Sequence, residues 1–162
     1  MDIEILEDLL FDVKKEALER GYNLVLKTRG RSMFPVLSTK DSIAVVKCDK
    51  DNFRYGDIIL YRPGHNKKVL VAHRFIRKIK KQDRYMFITK GDTSFGFDLP
   101  VDPDDVIGRI IKIRKSAINI PLYGFIGRPL NLFMYFFSIT RITALAYMFL
   151  RKLKRLILRI VS

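Results

Sequence analysis

Over the first twenty residues, apolar side chains fall at Ile3, Ile5, Leu6, Leu9, Leu10, Val13 and Ala17. That spacing is helical and predicts an amphipathic helix over 3–20 with one buried face. Acidic residues lead and basic residues follow, as the helix dipole favours, and Gly21 supplies a stop. From residue 22 the period becomes two. Tyr22, Leu24 and Leu26 alternate with Asn23, Val25 and Lys27, which predicts a strand. Further strands are predicted at 42–48, 57–62, 68–80, 84–90 and 106–114. Turn signals separate them at Lys50-Asp51-Asn52, Pro63-Gly64-His65-Asn66 and Gln82-Asp83. His65 reads as a solvated turn residue. Many short strands with hairpin signals imply a mainly β domain built on a partly closed sheet.

Beyond residue 120 the chain is mostly apolar, interrupted by Arg128, Asn131 and Arg141. Leu130–Leu150 is 21 residues long, about enough to cross a hydrocarbon core of roughly 30 Å. Arg141 falls at its middle and costs about 2.5–3.5 kcal/mol on insertion scales. The charge favours a helix lying in the interface or a shallow hairpin. Residues 151–162 (RKLKRLILRIVS) predict a basic amphipathic helix. The chain thus divides into an N-terminal helix (1–21), a β domain (22–116) and a C-terminal membrane-associating region (117–162).

Charge sharpens that division. The net charge is +14, and residues 106–162 hold eleven Lys/Arg and no Asp/Glu. These basic residues are interleaved with Leu, Ile, Phe and Met, which suits anionic lipid better than a phosphate groove. Membrane lipid is therefore an expected partner, and nucleic acid is not. Cys48 is the only cysteine, so no intramolecular disulfide forms, and it reads as an ordinary strand residue. Two histidines and one cysteine, far apart, offer no ligand spacing, so neither metal nor cofactor is expected. The acidic N-terminus MDIEILEDLL argues against a signal peptide.

The candidate chemistry lies in Gly30-Arg31-Ser32-Met33-Phe34-Pro35, Ala72-His73-Arg74 and Lys90-Gly91-Asp92, with Asp98 shortly after. Serine, histidine and aspartate are the parts of a nucleophile, a general base and an orienting carboxylate. Gly30 frees the backbone for a turn exposing Ser32. Met33 is expected to pack beneath the site, Pro35 to stiffen its exit, and the apolar strand VLVAHRF to hold the His73 ring.

Five boxes carry a resemblance: GRSMFPVL at 30–37, YGDIILYRP at 55–63, VAHRF at 71–75, ITKGDTSFGFDLPV at 88–101 and VIGRIIKI at 106–113. In this order they resemble the catalytic core of type I signal peptidases and the wider serine peptidase group that includes LexA-type repressors. The resemblance covers residues 22–114. Many members place lysine where this chain has His73, so it resembles the Ser-His-Asp branch of endoplasmic-reticulum and archaeal enzymes. This implies a coiled, partly closed β fold in which Ser32 and His73 come from different strands and meet at one surface. It also implies a membrane-associated serine endopeptidase that cleaves a signal or leader polypeptide through an acyl-enzyme on Ser32, with His73 as base. The acid maps onto Asp92 or Asp98; Asp98 is expected to pair with His73, and Asp92 to give structural or electrostatic support.

Other residues in the boxes receive bland expectations. Lys90 is a structural residue or a charge partner for a carboxylate, and Arg74 a surface or carboxylate contact. Asp57 bonds turn amides, while Asp102, Asp104 and Asp105 serve as turn and capping residues. The family often carries a hydroxyl residue two before the nucleophile. Here that position is Gly30, which leaves the Ser32 amide as the expected oxyanion donor. The family's usual N-terminal anchor is missing from residues 1–21, so membrane attachment is expected through the C-terminal region. A LexA-like self-cleaving regulator is disfavoured by the histidine and by the lack of a second helix before the strands. A catalytically inactive membrane-surface adaptor with the same fold has Gly30 as its one hint.

Overall fold

The computed structural model describes residues 3–64 and 69–161; His65, read above as a turn residue, lies outside them. Helix α1 (Ile3–Glu19) leads into strands β1 (Leu24–Lys27), β2 (Ser42–Val46), β3 (Ile58–Tyr61), β4 (Val71–Lys81), β5 (Arg84–Lys90), β6 (Val106–Lys115) and β7 (Ile118–Pro121). Helices α2 (Gly124–Ile139) and α3 (Ile142–Val161) follow. The chain is 34% helical and 32% strand. The expectation of a mainly β molecule therefore gives way to a mixed one, because the C-terminal apolar region is helical almost throughout.

All pairings in the sheet are antiparallel, in the order β1-β2-β6-β3-β4-β5, with β7 also paired to β6. Strand β3 shows why the sheet holds together. All four of its residues are buried: Ile58 and Leu60 join a core with Val45, Ile110 and Ile113, while Ile59 and Tyr61 join a second core with Phe75, Phe87 and Val106. Alternate side chains point to opposite faces, so a continuous apolar run is what a strand covered on both sides needs.

Helix α1 ends as Gly21 suggested. Gly21 has φ +87°, its N–H bonds Leu18 O at 3.0 Å, and the Tyr22 N–H bonds Ala17 O at 3.0 Å. This is a left-handed Schellman cap. The buried face of α1 differs from the expected one. Phe11 and Leu18 are buried, whereas Leu9, Leu10 and Val13 are exposed. The helix meets the domain along the Phe11–Leu18 line, and the Arg62 guanidinium covers the Phe11 ring at 3.8 Å.

Strand β2 stops before Cys48, which is half-buried beyond its end with Sγ 3.4 Å from Asp49 O. Strand β7 was not foreseen, and through it the sheet continues past residue 116. The two C-terminal helices meet at a 74° bend at Thr140–Arg141. Arg141 there is left-handed with φ 63°, which interrupts the helix. Among the described residues no single helix is long and apolar enough to cross a membrane.

Candidate active site

Three separate segments converge on one site. Ser32 lies in the turn region between β1 and β2, His73 on β4 opposite Ile59 of β3, and Asp98 in the loop after β5. Gly30 has φ +91°, a conformation that favours glycine, and it starts the turn that carries Ser32. Met33 is buried beneath the turn in the same core as Leu37, Ile43 and Leu60.

Ser32 Oγ lies 2.9 Å from His73 Nε2, and His73 Nδ1 lies 2.6 Å from Asp98 Oδ2. The acceptor-only Asp98 carboxylate fixes the proton on Nδ1, leaving Nε2 to accept from the serine hydroxyl. Asp98 is itself held from behind. Thr89 donates to Oδ2 at 2.7 Å, and the Tyr61 hydroxyl stands 3.1 Å from Thr89 Oγ1 and 3.3 Å from Asp98 Oδ2. The Asp98 amide donates to Thr89 O at 2.9 Å and folds the loop back on β5. Burial alone would raise the Asp98 carboxyl pKa, but the hydrogen bond and charge of His73, with the Thr89 and Tyr61 hydroxyls, hold it below the ordinary 3.8. Burial also pushes the Tyr61 phenol up, so it stays a neutral donor.

Asp92 sits elsewhere. It receives two 2.8 Å bonds from the Arg74 guanidinium, in a pair with no exposed side-chain surface. Arg74 also donates to Gly56 O at 2.8 Å and to Asn131 Oδ1 at 3.1 Å. Lys90 is buried beside the pair, with Nζ 3.4 Å from Ser138 Oγ, and burial lowers its pKa. Between them, Gly91 runs against the site. A Cβ there would stand 3.0 Å from Ser32 O and 3.1 Å from His73 Nε2. The Thr93 amide donates to Ser32 O at 2.9 Å and ties the two loops together.

Asp57 is wholly buried, accepting from the Arg54 amide at 2.9 Å and from Arg128 Nη1 at 2.8 Å. It therefore bonds a turn and also anchors the start of α2. Asp102 accepts from the Asp104 amide at 2.9 Å and caps a short turn of helix. Asp104 is an exposed partner of Lys50 and Arg84. Among the described residues no group of His, Cys, Asp and Glu side chains is arranged to hold a metal.

The sequence reading missed Thr89, Tyr61 and Thr93. Each lies in or beside a recognised box, but a hydroxyl aimed at a carboxylate from a neighbouring strand leaves no trace in spacing. It also missed that the C-terminal helices reach the site's supports. Besides Asn131 and Ser138, the Thr143 hydroxyl of α3 donates to Asp92 O, and the Tyr147 ring packs on Phe34 with centroids 5.8 Å apart.

Beside Ser32 and His73 opens a cleft of about 780 Å³, with Leu26, Met33, Leu60 and Ala72 in its wall and Lys14, Lys27 and Arg29 also lining it. No protein-family model matches this chain, and no curated protein is similar to it at a significant level.

Proposed function

We propose that this protein is a serine endopeptidase of the signal-peptidase type, cleaving a signal or leader polypeptide through an acyl-enzyme on Ser32. One observation carries the reading: Ser32, His73 and Asp98 form an unbroken hydrogen-bonded chain of 2.9 and 2.6 Å contacts. A serine hydroxyl alone is a poor nucleophile, and this geometry supplies the base that activates it.

In the reaction, Ser32 Oγ attacks the scissile carbonyl while His73 Nε2 takes its proton. The imidazolium is stabilised by Asp98 and returns the proton to the leaving amine as the C–N bond breaks. Water then enters, His73 deprotonates it, and the ester to Ser32 is hydrolysed. The Ser32 amide finds no protein acceptor among the described residues, so it is the candidate donor to the oxyanion. Gly30 offers no side-chain donor, and a missing donor costs about 100–1000-fold in rate.

The cleft runs beside β1, which pairs only with β2 in the described sheet. An extended polypeptide can add to that edge by backbone hydrogen bonds. Membrane association is assigned to the C-terminal helices.

The test is acylation of the purified protein by a fluorescent penem or similar electrophile, alongside Ser32→Ala and His73→Ala. Labelling that requires both residues supports the reading. An unlabelled but folded wild type, with or without lipid, would instead favour the inactive adaptor.

A further inference from the structure

Helix α2 is inside out for a helix of a water-soluble domain. Its inward positions are Gly127, Asn131 and Ser138, all buried, while Phe125, Ile126, Phe133 and Phe136 face outward. Phe125 is 97% exposed. An amphipathic helix on a soluble core shows the reverse order, so the outer face of α2 is built for an apolar medium. Helix α3 continues the surface. Leu145, Phe149, Leu153 and Ile157, four residues apart, form an exposed apolar stripe, and Arg151, Lys152, Lys154 and Arg155 are exposed beside it.

Charge identifies the occupant. Arg151, Lys152, Lys154 and Arg155 are exposed on α3, and residues 124–161 contain no acidic residue to answer them, so two copies meeting on this face would repel each other. An anionic lipid surface complements both the apolar stripe and the cations. The bend and the buried contacts identify the posture. Asn131 is held by Arg74 and by Leu122 O, Ser138 by Lys90 and Thr143 by Asp92 O. Straightening the 74° bend into a span would break these bonds and carry buried polar groups into hydrocarbon.

We propose that the outward face of α2 and α3 docks this protein onto an anionic phospholipid bilayer, lying in the interface of one leaflet without crossing it. Because Tyr147 of α3 packs on Phe34, the docking helix adjoins the Ser32 loop.

Flotation of the full chain carrying Ser32→Ala tests docking without any dependence on peptidase activity. Expected is co-flotation with phosphatidylcholine vesicles containing phosphatidylglycerol, and none with phosphatidylcholine alone at physiological salt. Each near-surface basic residue contributes about fivefold to binding, so replacing Arg151, Lys152, Lys154 and Arg155 by Gln should weaken it about 100-fold or more. The chain has no tryptophan, so Phe133→Trp and Phe149→Trp each give a single depth reporter at an exposed position. Lipids brominated near the headgroup should quench both more than lipids brominated near the chain end, as for a helix about 5–10 Å deep. Equal flotation on both vesicle types, self-association without flotation, or strongest quenching by the deepest bromine would each overturn the proposal. A Ser32 that fails to acylate while the protein floats would count against the peptidase reading alone.

Discussion

Arg74 and Asp92 meet through two parallel hydrogen bonds of 2.8 Å, with both side chains wholly removed from solvent. Each is a near neighbour of the site: Arg74 follows His73, and Asp92 follows Gly91, which lies against the His73 ring. Neither touches the serine. The pair works as a brace that fixes β4 and the loop after β5 relative to each other.

A buried charge left without its partner is costly, typically by about 3–5 kcal/mol. Asp92→Asn and Arg74→Met are each expected to lower stability in urea by about that amount, while Arg74→Met with Asp92→Leu recovers most of the loss. Additive losses in the double variant would sink the brace.

Asp98 should behave in the opposite way. Its place at the edge of the site and its bond to His73 predict that Asp98→Asn loses far less stability than Asp92→Asn but is acylated about 10⁴-fold more slowly, because the imidazole is held in the wrong tautomer. Equal rate losses in well-folded Asp92→Asn and Asp98→Asn would dissolve this division of labour.

Thr89 positions the carboxylate without meeting substrate. A hydrogen bond to a charged group contributes about 1.5–3 kcal/mol, so Thr89→Val should lower kcat about 10- to 100-fold with KM unchanged, and Thr89→Ser should restore it. Tyr61→Phe, which removes the longer 3.3 Å contact, should do less. A KM effect without a kcat effect in Thr89→Val would show that the hydroxyl only shapes the cleft.

The low pKa of Asp98 links it to acid stability. Burial alone would raise it, but His73, Thr89 and Tyr61 together hold it below 3.8. A carboxylate depressed on folding contributes stability that is fully present above its unfolded pKa and lost as pH falls through the folded one. The stability difference between wild type and Asp98→Asn should therefore be constant above about pH 5 and shrink below about pH 4. Urea titrations across that range measure it, and a difference that stays flat would mean no coupling.

Much of this molecule is legible along the chain, because local periodicity records which faces of an element meet water. Apolar runs bounded by turn signals marked five later strands to within a few residues, and Gly21 marked the cap of α1. The order Ser32, His73, Asp98 and the apolar, basic C-terminal region were legible as well. Local pattern failed where burial depends on a distant partner. The α1 stripe of Leu9, Leu10 and Val13 is exposed because the domain receives the helix along Phe11 and Leu18. β7 was missed because Ile118–Pro121 is short and mostly exposed, and only its pairing with β6 makes it a strand.

For the site, sequence supplied the candidate residues, whereas the tertiary structure decided their partners. Asp92 and Asp98 are six positions apart and chemically identical. Packing sends one to the buried guanidinium of Arg74 and the other to the imidazole of His73. Asn131 likewise reads as an interruption in an apolar run until the fold shows it, with the unremarked Ser138 and Thr143, bonded to the supports of the site. Hydrogen bonds between residues tens of positions apart are set by how strands and helices converge, and no local period along the chain encodes that convergence.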